Sequence, residues 1–99
     1  MDLCDGVFLL VSFIPAGQVS SYGVLADALD CSPRVVGRVL GLNDNPVVVP
    51  CHRVVHSDGW LGGFRWGVSL KSKLLLLEGV DIEDNRVLDF DKLLYTDFI

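Results

Sequence analysis

Residues 20–40 read SSYGVLADALDCSPRVVGRVL, and this stretch predicts two short helices joined by a tight turn. Either serine at 20–21 can cap a helix over 22–29, because a serine oxygen accepts a hydrogen bond from the free amides at a helix start. Ser32 is placed to cap a helix over 33–40, whose first residue is a proline that has no N–H to leave unpaired there. Two short helices around a tight turn indicate a helix-turn-helix.

The second of these helices separates charged from apolar residues. Arg34 and Arg38 lie four residues apart, hence on one face. Gly37 stands between them and weakens the helix by about 1 kcal/mol relative to alanine, a cost more easily understood if another surface approaches the backbone there. This layout is typical of a DNA recognition helix, although an ordinary surface helix with two solvated arginines gives the same pattern. Apolar residues cover the opposite side: Val35, Val36, Val39 and Leu40.

Two more helices are predicted on either side of this unit. Residues 3–13 are apolar on most sides, which indicates a buried helix that ends before the proline and glycine at 15 and 17. Residues 68–78 form the clearest helix, and Gly79 is placed to end it. Its leucines repeat at helical spacing while its lysines are expected to face solvent: Leu70, Leu74 and Leu77 inside, Lys71 and Lys73 outside.

The remaining segments are less regular. Residues 47–49 are a short β-branched run closed by Pro50, which predicts a brief extended segment. Residues 54–66 contain two glycine turn signals and indicate a loop or small hairpin. The tail, 80–99, mixes acidic with apolar residues, so we expect it to pack on the domain or, alternatively, to present a partner surface.

Charge is unevenly distributed along the 99 residues, whose formal net charge is -5. Residues 1–30 contain four acids and no lysine or arginine, and residues 75–99 contain seven acids against two basic residues. Residues 31–74 contain six basic residues against two acids. A positive face on an acidic protein can bind phosphates, although such clustering also arises by chance in a short chain.

Several classes of protein are disfavoured. The longest apolar runs, 7–14 and 74–77, are shorter than the roughly 20 residues of a membrane span, and the start lacks the basic residues of a secretory signal. We therefore expect a cytoplasmic protein of one domain with no membrane partner. The cysteines and histidines lack the spacing of a disulfide framework or a zinc site, so we expect a free thiol and neither metal nor cofactor: Cys4, Cys31, Cys51, His52 and His56.

Residues 47–55 read VVVPCHRVV and place a thiol between a proline and a histidine. A buried cysteine is usually inert, but one flanked by ionisable residues in a rigid turn has the means to become a thiolate. The sequence from Pro50 to Val54, PCHRV, resembles the signature of the O6-alkylguanine-DNA alkyltransferases. The resemblance covers about residues 5–80. Its other parts are IPAGQVSSYG at 14–23, SPRVVGR at 32–38, GGF at 62–64, Lys71, and EG at 78–79.

This resemblance implies a mainly α, winged helix-turn-helix-like alkyltransferase domain, with a short hairpin or extended segment beside the active-site turn. One DNA-binding and active-site domain would span residues 1–99, and the family's usual N-terminal domain is absent from this sequence. The implied activity is the single-turnover transfer of an alkyl group from O6-alkylguanine in double-stranded DNA to Cys51, with flipping of the nucleotide. We expect a monomer, or a chain assisted by a protein partner in place of the N-terminal domain.

By the same resemblance, Cys51 accepts the alkyl group, His52 removes its proton through a water, and Glu78 orients His52. A cysteine activated by a histidine that a third group holds is a general arrangement for nucleophilic catalysis. Without the motif, a backbone hydrogen bond would explain His52 and a helix-end surface acid would explain Glu78. Tyr22 is implied to contact the phosphate beside the flipped nucleotide and to donate a proton as guanine leaves; the alternative is a tyrosine packed on the core.

The resemblance also assigns residues to the DNA and to the base pocket. Arg34 corresponds to the finger that fills the gap in the duplex, and Ser32, Gly37 and Arg38 belong to the same DNA-binding helix. Asn43 corresponds to a hinge, although an asparagine in a turn needs no further explanation. The pocket residues are Leu40, Val54, Phe64 and Arg65.

Two pocket positions depart from the family pattern. Phe64 stands where a tyrosine is usual, so the aromatic wall remains but a hydroxyl donor to the base is lost. Arg65 replaces a small residue, and its side chain either narrows the pocket or points to solvent. Two other classes stay open: alkyltransferase-like proteins that bind alkylated guanine but replace the cysteine, and helix-turn-helix regulators without chemistry. Cys51 argues against the first, and the turn together with Glu78 argues against the second.

Overall fold

The computed structural model describes residues 2–45 and 48–98. The fold is mainly helical, as predicted, and it also contains two small sheets. None of its described helices is long and apolar enough to cross a membrane. The extended run expected at 47–49 falls partly outside the described residues. The elements are α1 (Leu3–Ser12), β1 (Ser20–Ser21), α2 (Tyr22–Leu29), α3 (Pro33–Leu40), a 3-10 turn here named the cysteine turn (Cys51–Arg53), β2 (Val54–Val55), α4 (Val68–Leu77), β3 (Ile82–Glu83), β4 (Arg86–Val87) and α5 (Phe90–Leu93).

The helix-turn-helix forms through the capping residues that the sequence predicts. The Ser21 hydroxyl accepts a hydrogen bond from the Val24 amide at 3.0 Å, and the Ser32 hydroxyl accepts one from the Val35 amide at 3.3 Å. Between the helices, Asp30 adopts the left-handed conformation with φ 56°, which aspartate tolerates better than most residues. Both helices are confirmed over the predicted residues, 22–29 and 33–40.

Two apolar clusters hold the domain together. The first lies among α1, α2, α3 and the cysteine turn, and it is centred on Val7, Val11, Leu25, Val36 and Val54. The second lies between α4 and the tail, and it consists of Val19, Val55, Leu61, Leu75, Val80 and Val87. The prediction that the helix over 3–13 is buried is wrong for part of its surface, because Leu9 is 42 % exposed and Phe13, the residue that caps the end of α1, is 47 % exposed.

Of the loop or small hairpin expected over residues 54–66, the structure has a loop, because β2 does not pair with another strand inside that range. β2 pairs in parallel with β1, in the register Ser20 to Val54 and Ser21 to Val55. This pairing joins the start of α2 to the end of the cysteine turn. After β2 the chain turns at 57–59, where the His56 amide donates to the Trp60 carbonyl at 2.9 Å.

The tail packs on the domain along β1. The Val19 amide donates to the Leu93 carbonyl at 3.0 Å, and the Tyr95 amide donates to the Val19 carbonyl at 2.7 Å. The Ser20 hydroxyl donates to the Tyr95 carbonyl at 2.8 Å. Near the end of the chain, Phe98 is 8 % exposed and belongs to the first apolar cluster.

The buried face of α4 differs from the predicted one. Lys71 and Leu75 are both 0 % exposed, whereas Leu77 is 84 % exposed, so the expectation that Lys71 faces solvent is wrong. Leucines occupy every side of this helix, and its pattern therefore does not define a single apolar face. Burial of Lys71 is possible because the Lys71 ammonium donates to the Gly63 carbonyl at 3.3 Å.

Candidate active site

Cys51 begins the cysteine turn and lies at the edge of the first apolar cluster, 6 % exposed. The Asn43 amide nitrogen lies 3.2 Å from the Cys51 sulfur and also donates to the Val49 carbonyl at 3.0 Å. The Asn43 side-chain oxygen accepts from the Asn45 amide at 3.0 Å. Asn43 thus fixes the loop after α3 to the cysteine turn, which is the position that a hinge residue would occupy.

His52 is 1 % exposed and is held by a carboxylate. Its Nε2 lies 3.0 Å from Glu78 Oε2, and because a carboxylate only accepts, Nε2 carries the hydrogen in the neutral ring. Burial lowers the pKa of His52, and the hydrogen bond to Glu78 only partly opposes that effect. Nδ1 is buried and has no hydrogen-bond partner within the described residues. The ring is therefore neutral at neutral pH and keeps a free lone pair on Nδ1.

Glu78 also receives the Arg53 guanidinium. Arg53 Nε donates to Glu78 Oε1 at 2.9 Å and Arg53 Nη2 donates to Oε2 at 2.5 Å, a two-point contact. Burial alone would raise the pKa of Glu78, but the hydrogen bonds from Arg53 and His52 outweigh it and lower that pKa. Arg53 Nη1 donates to the Ile14 carbonyl at 2.8 Å. Arg53 therefore links the segment after α1, the cysteine turn and the end of α4.

Tyr22 and Lys71 lie near the Cys51 thiol, which influences the pKa of each. The Lys71 nitrogen is 5.8 Å from the centre of the Tyr22 ring. Burial lowers the pKa of Lys71 to about 8, and the nearby Cys51 sulfur opposes the shift. Burial also raises the pKa of Tyr22, with a further contribution from Cys51. At neutral pH the Tyr22 phenol keeps its proton and Lys71 is charged.

A cavity of about 420 Å³ opens above the thiol. Of the four residues expected to form a base pocket, Leu40, Phe64 and Arg65 line this cavity, whereas Val54 does not, because its side chain is 0 % exposed within the first apolar cluster. Arg34 and Gly37 of α3 line the cavity as well. The complete lining is Tyr22, Pro33, Arg34, Gly37, Leu40, Gly41, Cys51, His56, Gly63, Phe64 and Arg65.

Arg65 stands at the mouth of this cavity, 46 % exposed. Its Nη1 donates to the Asp44 carboxylate at 2.5 Å and to the Asn43 carbonyl at 3.1 Å. Its guanidinium carbon lies 5.5 Å from the centre of a Trp66 ring. Both sequence alternatives for Arg65 therefore hold in part, because the side chain borders the cavity and also reaches an exposed carboxylate.

The other predicted DNA-binding residues are on or beside α3. Ser32 caps the helix, and Arg38 is exposed but does not line the cavity. Within residues 2–45 and 48–98, no three histidine, cysteine, aspartate or glutamate side chains are grouped as metal ligands would be.

Three residues beside the site have contacts that the sequence did not reveal. Lys71 is buried rather than exposed, Arg53 binds Glu78, and His56 lines the cavity with its ring centre 5.1 Å from that of Tyr22. Arg53 and Lys71 are part of the sequence resemblance, which was the one available signal for them. His56 had no signal beyond being a histidine five residues after Cys51.

Comparison with known proteins finds relatives in sequence and in structure. A curated relative from Methanopyrus kandleri, a methylated-DNA--protein-cysteine methyltransferase, is 53 % identical over 73 residues, which is 74 % of this chain and 55 % of the relative. One with the same name from Pyrobaculum aerophilum is 47 % identical over 80 % of this chain and 53 % of its own length. The chain thus spans about half the length of these relatives.

Solved structures agree with the sequence comparison. Mycobacterium tuberculosis OGT in complex with DNA has a TM-score of 0.75 and 37 % identity, and the match covers 80 % of this chain and 49 % of that one. S. pombe Atl1 bound to damaged DNA containing O6-carboxymethylguanine has a TM-score of 0.85 and 26 % identity, covering 96 % of this chain and 98 % of Atl1. Residues 3–80 match the family model described as 6-O-methylguanine DNA methyltransferase, DNA binding domain, and the chain belongs to that family.

Proposed function

We propose that this protein repairs DNA by transferring the alkyl group of O6-alkylguanine in double-stranded DNA to Cys51. The observation that carries the proposal is the His52–Glu78 contact of 3.0 Å, made by the residue next to Cys51, beneath a cavity that α3 helps to line. A neutral histidine that a carboxylate holds through one ring nitrogen is oriented to accept a proton on the other.

In the proposed reaction, the Cys51 proton passes through a bridging water to Nδ1 of His52. The thiolate then attacks the alkyl carbon, so that a carbon–sulfur bond forms while the bond from that carbon to O6 breaks. The electron pair of the broken bond stays on guanine, which takes a proton from the Tyr22 phenol. The proton held by His52 returns to Tyr22 through solvent, and the net change is the exchange of the thiol proton for the alkyl group.

The alkyl group lies inside the base stack, so the nucleotide must be extruded at a cost of a few kcal/mol. Arg34, at the mouth of the cavity, is the proposed finger that occupies the gap in the duplex. Leu40 and Phe64 provide apolar walls for the base. Each molecule should react once, because a thioether has no good leaving group that would restore the thiol.

A second candidate is binding of alkylated guanine without transfer. The match to Atl1 favours it, since that match has a TM-score of 0.85 over 96 % of this chain, against 0.75 over 80 % for the matched OGT structure. Cys51 argues for transfer, because a binding protein needs no nucleophile. In either case we propose that the chain acts as a monomer on duplex DNA, unless a protein partner takes the place of the segment present in its longer relatives.

Intact-mass measurement after incubation with a duplex containing O6-methylguanine distinguishes these functions. Transfer predicts a gain of one methyl group, located on Cys51 by peptide mapping and absent in Cys51→Ala. Cys31→Ala is the matched control and should react normally, and Cys51→Ala should still bind the duplex. Tight lesion-specific binding without a mass gain would instead support the Atl1-like function. Release of several methyl equivalents per protein would contradict a single-turnover reaction.

A further inference from the structure

The residues around the cavity differ in depth. Cys51 and Leu40 form its floor, 6 % and 7 % exposed. Arg34, His56 and Arg65 are exposed and therefore stand at its mouth. A nucleotide that places its base on the floor leaves its phosphates at the mouth, because the sugar–phosphate chain must rejoin the duplex on both sides. Basic groups at the mouth are therefore placed to meet phosphate.

The His56 ring packs against two neighbouring residues, Tyr22 and Gly62. Its ring centre lies 5.1 Å from that of Tyr22, with the planes at 51°. On another side it packs over Gly62, where a Cβ would lie 2.6 Å from His56 Nε2. Gly62 has φ +72°, so both its conformation and the lack of a side chain serve this packing. The ring is held in place by packing on the edge of the cavity.

The three basic groups at the mouth differ in their partners. The Arg65 guanidinium is engaged by Asp44 and the Asn43 carbonyl. Arg34 lies on α3 and is the proposed finger. The ring nitrogens of His56 make no hydrogen bond within the part of the chain that the structure describes. His56 is thus the basic group at the mouth that is both fixed by packing and open to an anion.

We propose that His56 is a positioning residue whose protonated imidazole donates a hydrogen bond to a phosphate of the extruded nucleotide. This inference rests on the proposed function, since it requires the base to enter the cavity. It adds a phosphate contact outside α3, on the segment that follows β2. It also predicts that binding of damaged DNA strengthens as pH falls.

The charged groups near His56 define the pH range for a test. Burial lowers the pKa of His52 and raises that of Tyr22, so both are neutral at neutral pH. The backbone amide of Trp60 lowers the pKa of Asp58, which therefore stays charged beside His56. Lys71 has a pKa of about 8, so titrations should stay below pH 7.5.

The test uses Cys51→Ala protein, which cannot transfer, and a duplex containing O6-methylguanine. Its affinity should rise about tenfold from pH 7.5 to pH 5.5, the effect of a charged hydrogen bond. Adding His56→Gln should remove most of this rise, while adding His56→Lys should give binding that is strong and independent of pH. At pH 5.5, His56→Gln should also reduce the salt dependence of binding by about one phosphate contact.

Two comparisons separate this proposal from the proposed function. With Cys51 intact, His56→Gln should slow transfer from duplex DNA more than transfer from the free base O6-methylguanine, because the free base has no phosphate. An equal loss on free base and duplex would place His56 against the base and overturn the proposal. The proposal would also be overturned if the duplex affinity changed with pH in the same way with and without His56→Gln, even if the wild type transfers normally. Absence of lesion-specific binding and of transfer in the wild type would refute the proposed function, and the His56 contact with it.

Discussion

The helix-turn-helix and the site beside it are held together in different ways. In α2 and α3 the capping bonds join residues three apart, Ser21 to Val24 and Ser32 to Val35. Around the cysteine turn the bonds join residues far apart in sequence: 26 residues from His52 to Glu78 and 39 from Arg53 to Ile14. The proposed DNA-reading unit is therefore specified locally, whereas the proposed chemistry depends on the assembled fold.

The two regions also differ in what they contribute to stability. A serine cap contributes about 1 kcal/mol, and its loss is easily tolerated. A buried charge that loses its partner costs about 3–5 kcal/mol, although an intact buried pair adds little. The site contains two such charges, Lys71 and the partly buried Glu78. This contrast indicates that the site is maintained for its proposed chemistry more than for stability, and substitutions in both regions can test it.

The largest effect is expected for Glu78→Gln, which removes the charge that orients and stabilises protonated His52. The transfer rate should fall about 100-fold, within the range attributed to general-base catalysis, while the affinity for duplex DNA stays within about twofold. Single-turnover transfer and binding titrations measure the two quantities. Glu83→Gln, on the exposed strand β3, is the matched control. Equal transfer rates in both variants would show that Glu78 only supports the structure.

Lys71→Met should stabilise the fold. The pKa of Lys71 falls from its ordinary value of 10.5 to about 8 in the folded protein, which corresponds to a cost of about 3 kcal/mol for burying the charged lysine at neutral pH. Methionine avoids this cost but loses the hydrogen bond to the Gly63 carbonyl, which contributes about 1 kcal/mol. Urea unfolding at pH 7 should therefore show a gain of about 2 kcal/mol. The transfer rate should fall at the same time, because a cation close to Cys51 is lost.

The pH dependence of the same variant gives an independent check. The folded state loses the Lys71 proton at lower pH than the unfolded state, so the stability of the wild type should rise between about pH 8 and pH 10.5. The pKa of Tyr22 is raised in the folded protein, so its titration lowers the stability as the pH rises near 10. Measurements at pH 7 and pH 9 are therefore the most informative for Lys71. Lys71→Met should lack the rise. A less stable variant at pH 7 would mean that buried Lys71 contributes to folding.

The smallest effects concern the two arginines on one face of α3. Arg34→Ala should slow repair of duplex DNA about tenfold relative to transfer from free O6-methylguanine, because only the duplex requires extrusion. Arg38 does not line the cavity, so Arg38→Ala should weaken duplex binding severalfold on all sequences and leave transfer from the free base unchanged. Equal losses on both substrates for Arg34→Ala would place Arg34 in the pocket rather than in extrusion.

The same division explains what the sequence could predict. The boundaries of α2 and α3 follow from serine caps, Pro33 and helical spacing, which are properties of adjacent residues. The buried face of α4 was missed because leucines surround the helix, and the partner of Lys71 is a backbone carbonyl in a loop eight residues earlier. Composition gives no sign of such a partner.

Contacts between residues far apart in the chain could not be predicted from the sequence either. No local pattern indicates that Val54 and Val55 pair in parallel with the two serines ahead of α2. The contact of His52 with Glu78 was expected only from resemblance to a family, since a histidine and a glutamate 26 residues apart have no spacing rule. Nothing in the sequence placed His56 against Tyr22, because that contact depends on the loop geometry at Gly62.

The contacts of the tail limit how far this domain can be truncated. Residues 3–80 match the family model and contain every residue of the proposed chemistry. A chain cut after residue 80 would nevertheless leave the Val19 amide without the Leu93 carbonyl and the Val19 carbonyl without the Tyr95 amide. Val19 lies only three residues before Tyr22, so this loss would fall next to the site. The cut would also remove Val87 from beneath α4. The smallest piece that carries the chemistry is thus shorter than the smallest piece expected to fold.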